Sequence, residues 1–180
     1  MNDSILIRQE TEKDFGQVEE VVRLAFGNMP ESDHTEHILV ERLRQSDAYI
    51  PELSLVAETG DKKIVGHVLL SKVTIVSANG THTVLSVAPL SVLPEFQRRG
   101  IGGMLLREAH QRASALGYGG VLLLGHEDYY PRFGYKKASA FGIKFPFDAP
   151  DTCCMAMELK ANGLNGISGT VHYPDAFGLN

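Results

Sequence analysis

Gln97-Arg98-Arg99-Gly100-Ile101-Gly102-Gly103 stands between a β-type run that ends Ser91-Val92-Leu93-Pro94 and an amphipathic stretch from Met104 to Gly117. Strand, glycine-rich turn, helix is the order that builds an anion site. The first N–H groups of a helix have no intrahelical acceptor, and the macrodipole adds partial positive charge at the same end. Phosphate oxygens are suited to fill that gap. Gly100, Gly102 and Gly103 lack a Cβ, so a ligand can lie against bare backbone and the chain can take positive φ. Arg98 and Arg99 add charge-assisted donors to the same phosphates. A tight turn that lets helix and strand pack closely is the other reading of these glycines. No Gly-Lys-Ser/Thr follows, which argues against a P-loop, and a dinucleotide fingerprint fails at Leu105, where its last glycine belongs.

Outward from the turn, Ile101, Leu105, Ala109, Ala113 and Leu116 recur at helical spacing, and Gly117 ends that helix. Val121-Leu122-Leu123-Leu124 is a short apolar run of the kind a strand buried on both faces produces. Strand, helix, strand predicts one parallel crossover. Upstream lies an antiparallel meander: 53–58, 64–76 and 83–92, with turns at Thr59-Gly60-Asp61 and Asn79-Gly80. Pro89 falls inside the last strand, so a bulge or local separation is expected there.

Before the meander, Ile5-Leu6-Ile7 reads as a first strand, and Thr11-Glu12-Lys13-Asp14 resembles a capping box opening a helix with Phe15, Val18, Val22, Ala25 and Phe26 on its buried face. Gly27-Asn28-Met29-Pro30 breaks it. A second helix is expected from Ser32 or Asp33, with Ile38, Leu39 and Leu43 inward. After the crossover come a short helix over 129–133 and strands near 135–138 and 154–159. The stretch 161–180, rich in glycine and asparagine, carries Val171, Tyr173 and Phe177, which suit docking on the body or on a second subunit.

The 180 residues suffice for one domain with a core that needs neither disulfide nor metal. At 43% hydrophobic and 22% charged, the composition is that of an ordinary globular chain, and no repeat is visible. The start, MNDSILIRQE, has neither a basic nor an apolar character and no run approaches a membrane span, so a cytoplasmic protein is expected, with no membrane partner. A net charge of −5 argues against a broad attraction to nucleic acid. Arg107 and Arg112 read as solvated helix surface. Adjacent Cys153 and Cys154 suit buried small residues in a reduced compartment, not a structural disulfide between them. No metal is expected: His34 and His37 lack a third ligand, and His126-Glu127-Asp128 diverge in direction.

Val92-Leu93-Pro94-Glu95-Phe96-Gln97-Arg98-Arg99-Gly100-Ile101-Gly102 resembles the acetyl-coenzyme-A signature of the GCN5-related N-acetyltransferases (GNAT). Tyr130-Pro131-Arg132-Phe133-Gly134-Tyr135 is similar to the family's second motif, Tyr-x-Lys/Arg-x-Gly-Phe/Tyr, and the likeness extends from about Ile5 to Lys160, toward a bacterial subgroup of predicted N-acetyltransferases. It implies an α/β (α+β) fold: a mixed, mostly antiparallel sheet of 6–7 strands, splayed in the middle, with helices on both faces. The acetyltransferase domain would span 1–160, and 161–180 would be an extension packed on it or on a partner subunit, a homodimer being one form of that.

The resemblance also implies chemistry. Pantetheine would pair with backbone at Val92 and Leu93 in the splay, and pyrophosphate would sit on Arg98, Arg99, Gly100, Ile101, Gly102 and Gly103. Acetyl-CoA (coenzyme A) would be the acyl donor for a small-molecule or peptide amine. Tyr130, four residues before Gly134, would protonate the departing thiolate. Some relatives carry a glutamate base on the strand before the signature, whereas Leu85 to Ser91 has no carboxylate. The candidates are water relayed through Ser86, or else His126 or Glu127 at the end of the next strand. A non-catalytic acyl-CoA sensor of the same fold is the alternative.

Overall fold

The computed structural model describes residues 4–179. Met1 to Asp3, part of the N-terminal reading, and Asn180 lie outside the described residues. The elements run β1 (Ile5–Gln9), α1 (Phe15–Phe26), α2 (Glu36–Arg44), β2 (Ser54–Thr59), β3 (Ile64–Ser77), β4 (Gly80–Val92), α3 (Ile101–Ala115), β5 (Gly120–Leu124), β6 (Lys136–Lys137), β7 (Ile143–Lys144), β8 (Cys154–Glu158) and β9 (Gly169–His172). Seven strands follow one another across the sheet as β1-β2-β3-β4-β5-β8-β6, mostly antiparallel, with β4 and β5 parallel. This is the mixed sheet expected from the sequence. Two short strands were not anticipated: β9 pairs antiparallel with the far half of β3, and β7 pairs with β9 in a second parallel contact.

β3 is buried from Ile64 to Ser71 because helices cover both faces. At Gly66 a Cβ would meet Leu105 Cδ1 at 3.0 Å and Ile101 Cγ2 at 3.3 Å, so the missing side chain lets α3 lie directly on the sheet. The next residue, His67, points to the opposite face by strand alternation. There it meets a polar cluster that ties β1, β2 and α2 together. Arg44 grips Glu10 with two bonds, Nη2 to Oε2 at 2.7 Å and Nε to Oε1 at 3.1 Å, while Ser54 Oγ donates to Glu10 Oε1 at 2.8 Å. Ser54 has a single hydroxyl proton and gives it to Glu10, so the 3.0 Å contact with His67 Nε2 requires that nitrogen to be the donor. Nδ1 is buried and without a partner among the described residues, where a second N–H would go unsatisfied, so His67 is the neutral Nε2–H tautomer. Burial alone would raise the Glu10 carboxyl, but the Arg44 bonds and charge and the Ser54 hydroxyl hold it below its ordinary value.

Burial drives the His67 pKa down to about 4 against the pull of Glu10, and burial likewise lowers His110, on α3 beside the Tyr135 hydroxyl, to about 4. In the unfolded chain a histidine takes its proton near pH 6.5, so the unfolded state binds more protons than the native one between about pH 6.5 and pH 4. Stability is thus full above pH 6.5 and falls below it. Urea unfolding at about pH 8 and about pH 5 is expected to differ by roughly 2 kcal/mol from His67 alone. A flat profile across that window would contradict neutral burial.

Three local expectations are revised. α2 begins at Glu36, not at Ser32 or Asp33, because those side chains are used in turns: Ser32 Oγ accepts from the His34 amide and Asp33 Oδ1 from the Thr35 amide. Ile38 is 40% exposed, and Val40 takes the inward place beside Leu43. The cysteines are free, as expected, but half-buried. The capping box holds, with Asp14 Oδ2 accepting the Thr11 amide at 2.8 Å. No helix among the described residues is long and apolar enough to cross a membrane.

Candidate active site: the cleft where the sheet opens

Among the described residues β4 and β5 pair only at Leu85↔Val121 and Ser86↔Leu122, and from Val87 onward β4 has no partner on that side. The sheet opens here as expected. Pro89 marks the departure: the register with β3 shifts between Val68 and Leu70, whose partners are Leu90 and Val87, so β4 carries an extra residue at the bulge. The Leu93 amide donates to Val65 O at 2.8 Å, which fixes the phase of the strand. By alternation the backbone groups of Leu90 and Val92 then face the opening. Val92 O already accepts from Gln97 Nε2 at 3.0 Å.

At the mouth of this opening lies a cleft of about 710 Å³. Its floor is the start of α3. Gly100 adopts φ 82° and Arg98 φ 64°, and this pair of left-handed residues turns the chain from β4 into the helix. The first amide of the turn held by the protein's own backbone is that of Met104, bonded to Gly100 O at 3.0 Å. Among the described residues, no acceptor engages the amides of residues 98–103, which leaves a nest of donors at the positive end of a helix of 15 residues.

Of the residues anticipated for this site, Val92, Arg98, Gly100, Ile101, Gly102, Gly103 and Tyr130 all line the cleft. Leu93 and Arg99 do not. Leu93 is buried, with its amide directed to Val65 on β3 and away from the opening, and its carbonyl accepts from the Phe96 amide. Arg99 lies over the Phe96 ring, 5.0 Å from its centre. In their place stand two guanidinium groups not assigned from the sequence, Arg107 and Arg132. Arg107 is thus not the solvated helix surface that its sequence position suggests. It sits 5.1 Å from the centre of the Phe133 ring, and Arg132 sits 4.8 Å from that of Tyr129. The cleft thus holds Arg98, Arg107 and Arg132 and no carboxylate, on a chain whose net charge is −5.

The segment after β5 closes one side of the cleft. A 3₁₀ turn, Tyr130–Phe133, ends at Gly134 with φ 103°. Gly102 and Gly103 give this segment close room as well as forming the turn. A Cβ on Gly102 would lie 2.7 Å from the Tyr129 hydroxyl, and one on Gly103 3.1 Å from the Phe133 ring. Tyr130 is seated by another glycine, Gly125, where a Cβ would come within 2.4 Å of the Tyr130 ring. Its ring packs edge-on against Tyr129 and Tyr135, with centroids 5.0 and 5.8 Å away. Burial raises the Tyr130 hydroxyl well above the ordinary phenol range, so it stays protonated at neutral pH. Tyr129 is raised too, by burial, with Arg132 and Arg107 pulling the other way.

A second cavity, of about 950 Å³, continues from the first, and Val92, Arg98, His126, Tyr129 and Tyr130 line both. Of the three candidates for a base, His126 lies at this junction, Ser86 lines only the second cavity, and Glu127 lines neither. No group of three metal-ligating side chains occurs among the described residues.

An open seam between parallel strands, a helix start with free amides, and arginines beside it define a fold and site matched by a known family. The acetyltransferase (GNAT) domain model matches residues 6–138, and the chain belongs to that family. It is 32% identical over 166 residues to the uncharacterized N-acetyltransferase YjhQ of Escherichia coli strain K12, covering 90% of this chain and 88% of that one. The crystal structure of the E. coli GNAT N-acetyltransferase YhbS in complex with CoA superposes with a TM-score of 0.86 at 26% identity, over 97% of this chain and 92% of the other. A GNAT acetyltransferase from Brucella melitensis, crystallised with acetyl-CoA, gives a TM-score of 0.79 at 31% identity, over 97% and 98%.

Proposed function

We propose that this chain transfers an acetyl group from acetyl-CoA to a primary amine by direct attack within a ternary complex. The observation that carries the reading is the cleft itself: unengaged amides at the start of α3, three guanidinium groups, no carboxylate, and an unpaired strand edge leading inward from them. Phosphates suit the amides and arginines. An amide-bearing arm suits the backbone of Leu90 and Val92, added to β4 as a strand. Holding an activated thioester beside an amine removes much of the barrier by proximity and orientation.

In the reaction the neutral amine attacks the thioester carbonyl, the C–N bond forms and the C–S bond breaks. The amine loses one proton and the thiolate gains one. His126, at the junction of the cavities, receives the first directly or through water, and Tyr130 supplies the second from its hydroxyl. The same burial that raises the phenol also raises the proton affinity of a thiolate beside it, which keeps the transfer close to balanced.

Thermal unfolding with coenzyme A, ATP or NAD present tests the binding step. Coenzyme A is expected to raise Tm by several degrees, with the other two giving little, and the shift is expected to shrink with added salt as the phosphate contacts are screened. Arg107→Ala and Arg132→Ala are each expected to reduce that shift. The β4 stretch Leu85 to Ser91 still lacks a carboxylate, which favours a second reading, a sensor that binds acyl-CoA without turnover. Release of free thiol with any amine decides for the enzyme.

A further inference from the structure

The second cavity is walled on one side by the C-terminal segment. β9 pairs with β3 at Thr74↔His172, Ile75↔Val171 and Val76↔Thr170, which delivers Tyr173 and Phe177 to the open seam. Their rings lie 4.9 Å apart, and Tyr173 stacks on Phe147 with centroids 6.0 Å apart and planes 24° from parallel. Phe26 at the end of α1, Met29 in the turn that follows it and Leu39 of α2 line the same cavity. Two apolar side chains at the cavity are left largely open, Leu124 at 50% and Leu179 at 53% exposure.

The charged groups sort by side. Arg98 belongs to the phosphate turn, whereas Glu31 and Glu36, from the connection into α2, are the acids of this cavity, and no lysine lines it. We propose that residues 173–179 form a wall of the acceptor pocket and select an amine carried on an apolar skeleton, aromatic or branched aliphatic. This rests on the acetyl-transfer reading above. The carboxylates attract the ammonium form from water, and the apolar walls favour its loss of a proton at the reaction centre. The amide product is uncharged and no longer held by them.

Steady-state thiol release with phenethylamine, ethanolamine and spermidine tests the proposal. Phenethylamine is expected to give the highest kcat/KM, and Phe177→Ala to lower that value by about tenfold to a hundredfold, with KM for acetyl-CoA unchanged. Phe177→Trp keeps the wall filled and installs a lone tryptophan, since the chain has none. Its emission is expected to shift on titration with phenethylamine and not with ethanolamine, which reads occupancy without turnover. Preference for ethanolamine or spermidine, or equal emission shifts with all three amines, overturns the proposal while acetyl transfer stands. Absence of any coenzyme A stabilisation, or of thiol release with every amine tried, overturns the acetyl-transfer reading and this one with it.

Discussion

Tyr130→Phe is expected to lower kcat by about a hundredfold or more and to leave KM for acetyl-CoA nearly unchanged, because it removes only the proton given to the leaving thiolate. The ring keeps its seat against Gly125, Tyr129 and Tyr135, so packing is preserved. Tyr129→Phe is the discriminating control. Its hydroxyl lies over Gly102, at the phosphate turn, and its loss is expected to act on KM for the donor more than on kcat. Equal and small effects of the two variants on kcat would remove Tyr130 from the proton path. Because burial raises the Tyr130 hydroxyl, the wild-type rate profile is also expected to show no alkaline fall from this group at the ordinary phenol value of about 10.

The largest effect on stability is expected from Glu10→Ala. The Glu10 side chain is fully buried and that of Arg44 is 8% exposed, so the substitution strands a guanidinium group in the interior and removes the acceptor for Ser54. Breaking a buried pair by deleting one partner costs about 3–5 kcal/mol, against a total stability of about 5–15 kcal/mol for a domain. Arg44 retains a 3.3 Å contact to Glu41, but that carboxylate is 57% exposed and replaces little of the lost charge. Urea unfolding reads the loss directly. A decrease below about 1 kcal/mol would show that the cluster is not the joint between β1, β2 and α2 described above.

Much of this molecule is legible along the chain because the signals are local. The strand-type runs 53–58, 64–76 and 83–92, the turn residues between them, and the helical spacing after the glycine turn follow from local composition, period and turn chemistry, and Pro89 announced its own bulge. β7 and β9 are not legible in the sequence because each is short, and β9 gains its place by pairing with β3 and β7 by pairing with β9. Nothing local distinguishes such a segment from a loop.

The sequence by itself determined that β4 leads into α3 through a turn rich in glycine and arginine, and hence that free helix amides stand at a strand end. That follows because the covalent order places these groups within a few residues of one another. Which groups surround the amides was decided by the tertiary structure. Leu93 was withdrawn by its bond to Val65, Arg107 and Arg132 entered from a helix turn and a distant loop, and Gly102 and Gly103 proved to make room for Tyr129 and Phe133. The pairing of β9 with β3 likewise brings Phe177 to the seam at Val87, contacts between segments far apart in the chain that only the folded sheet can bring together.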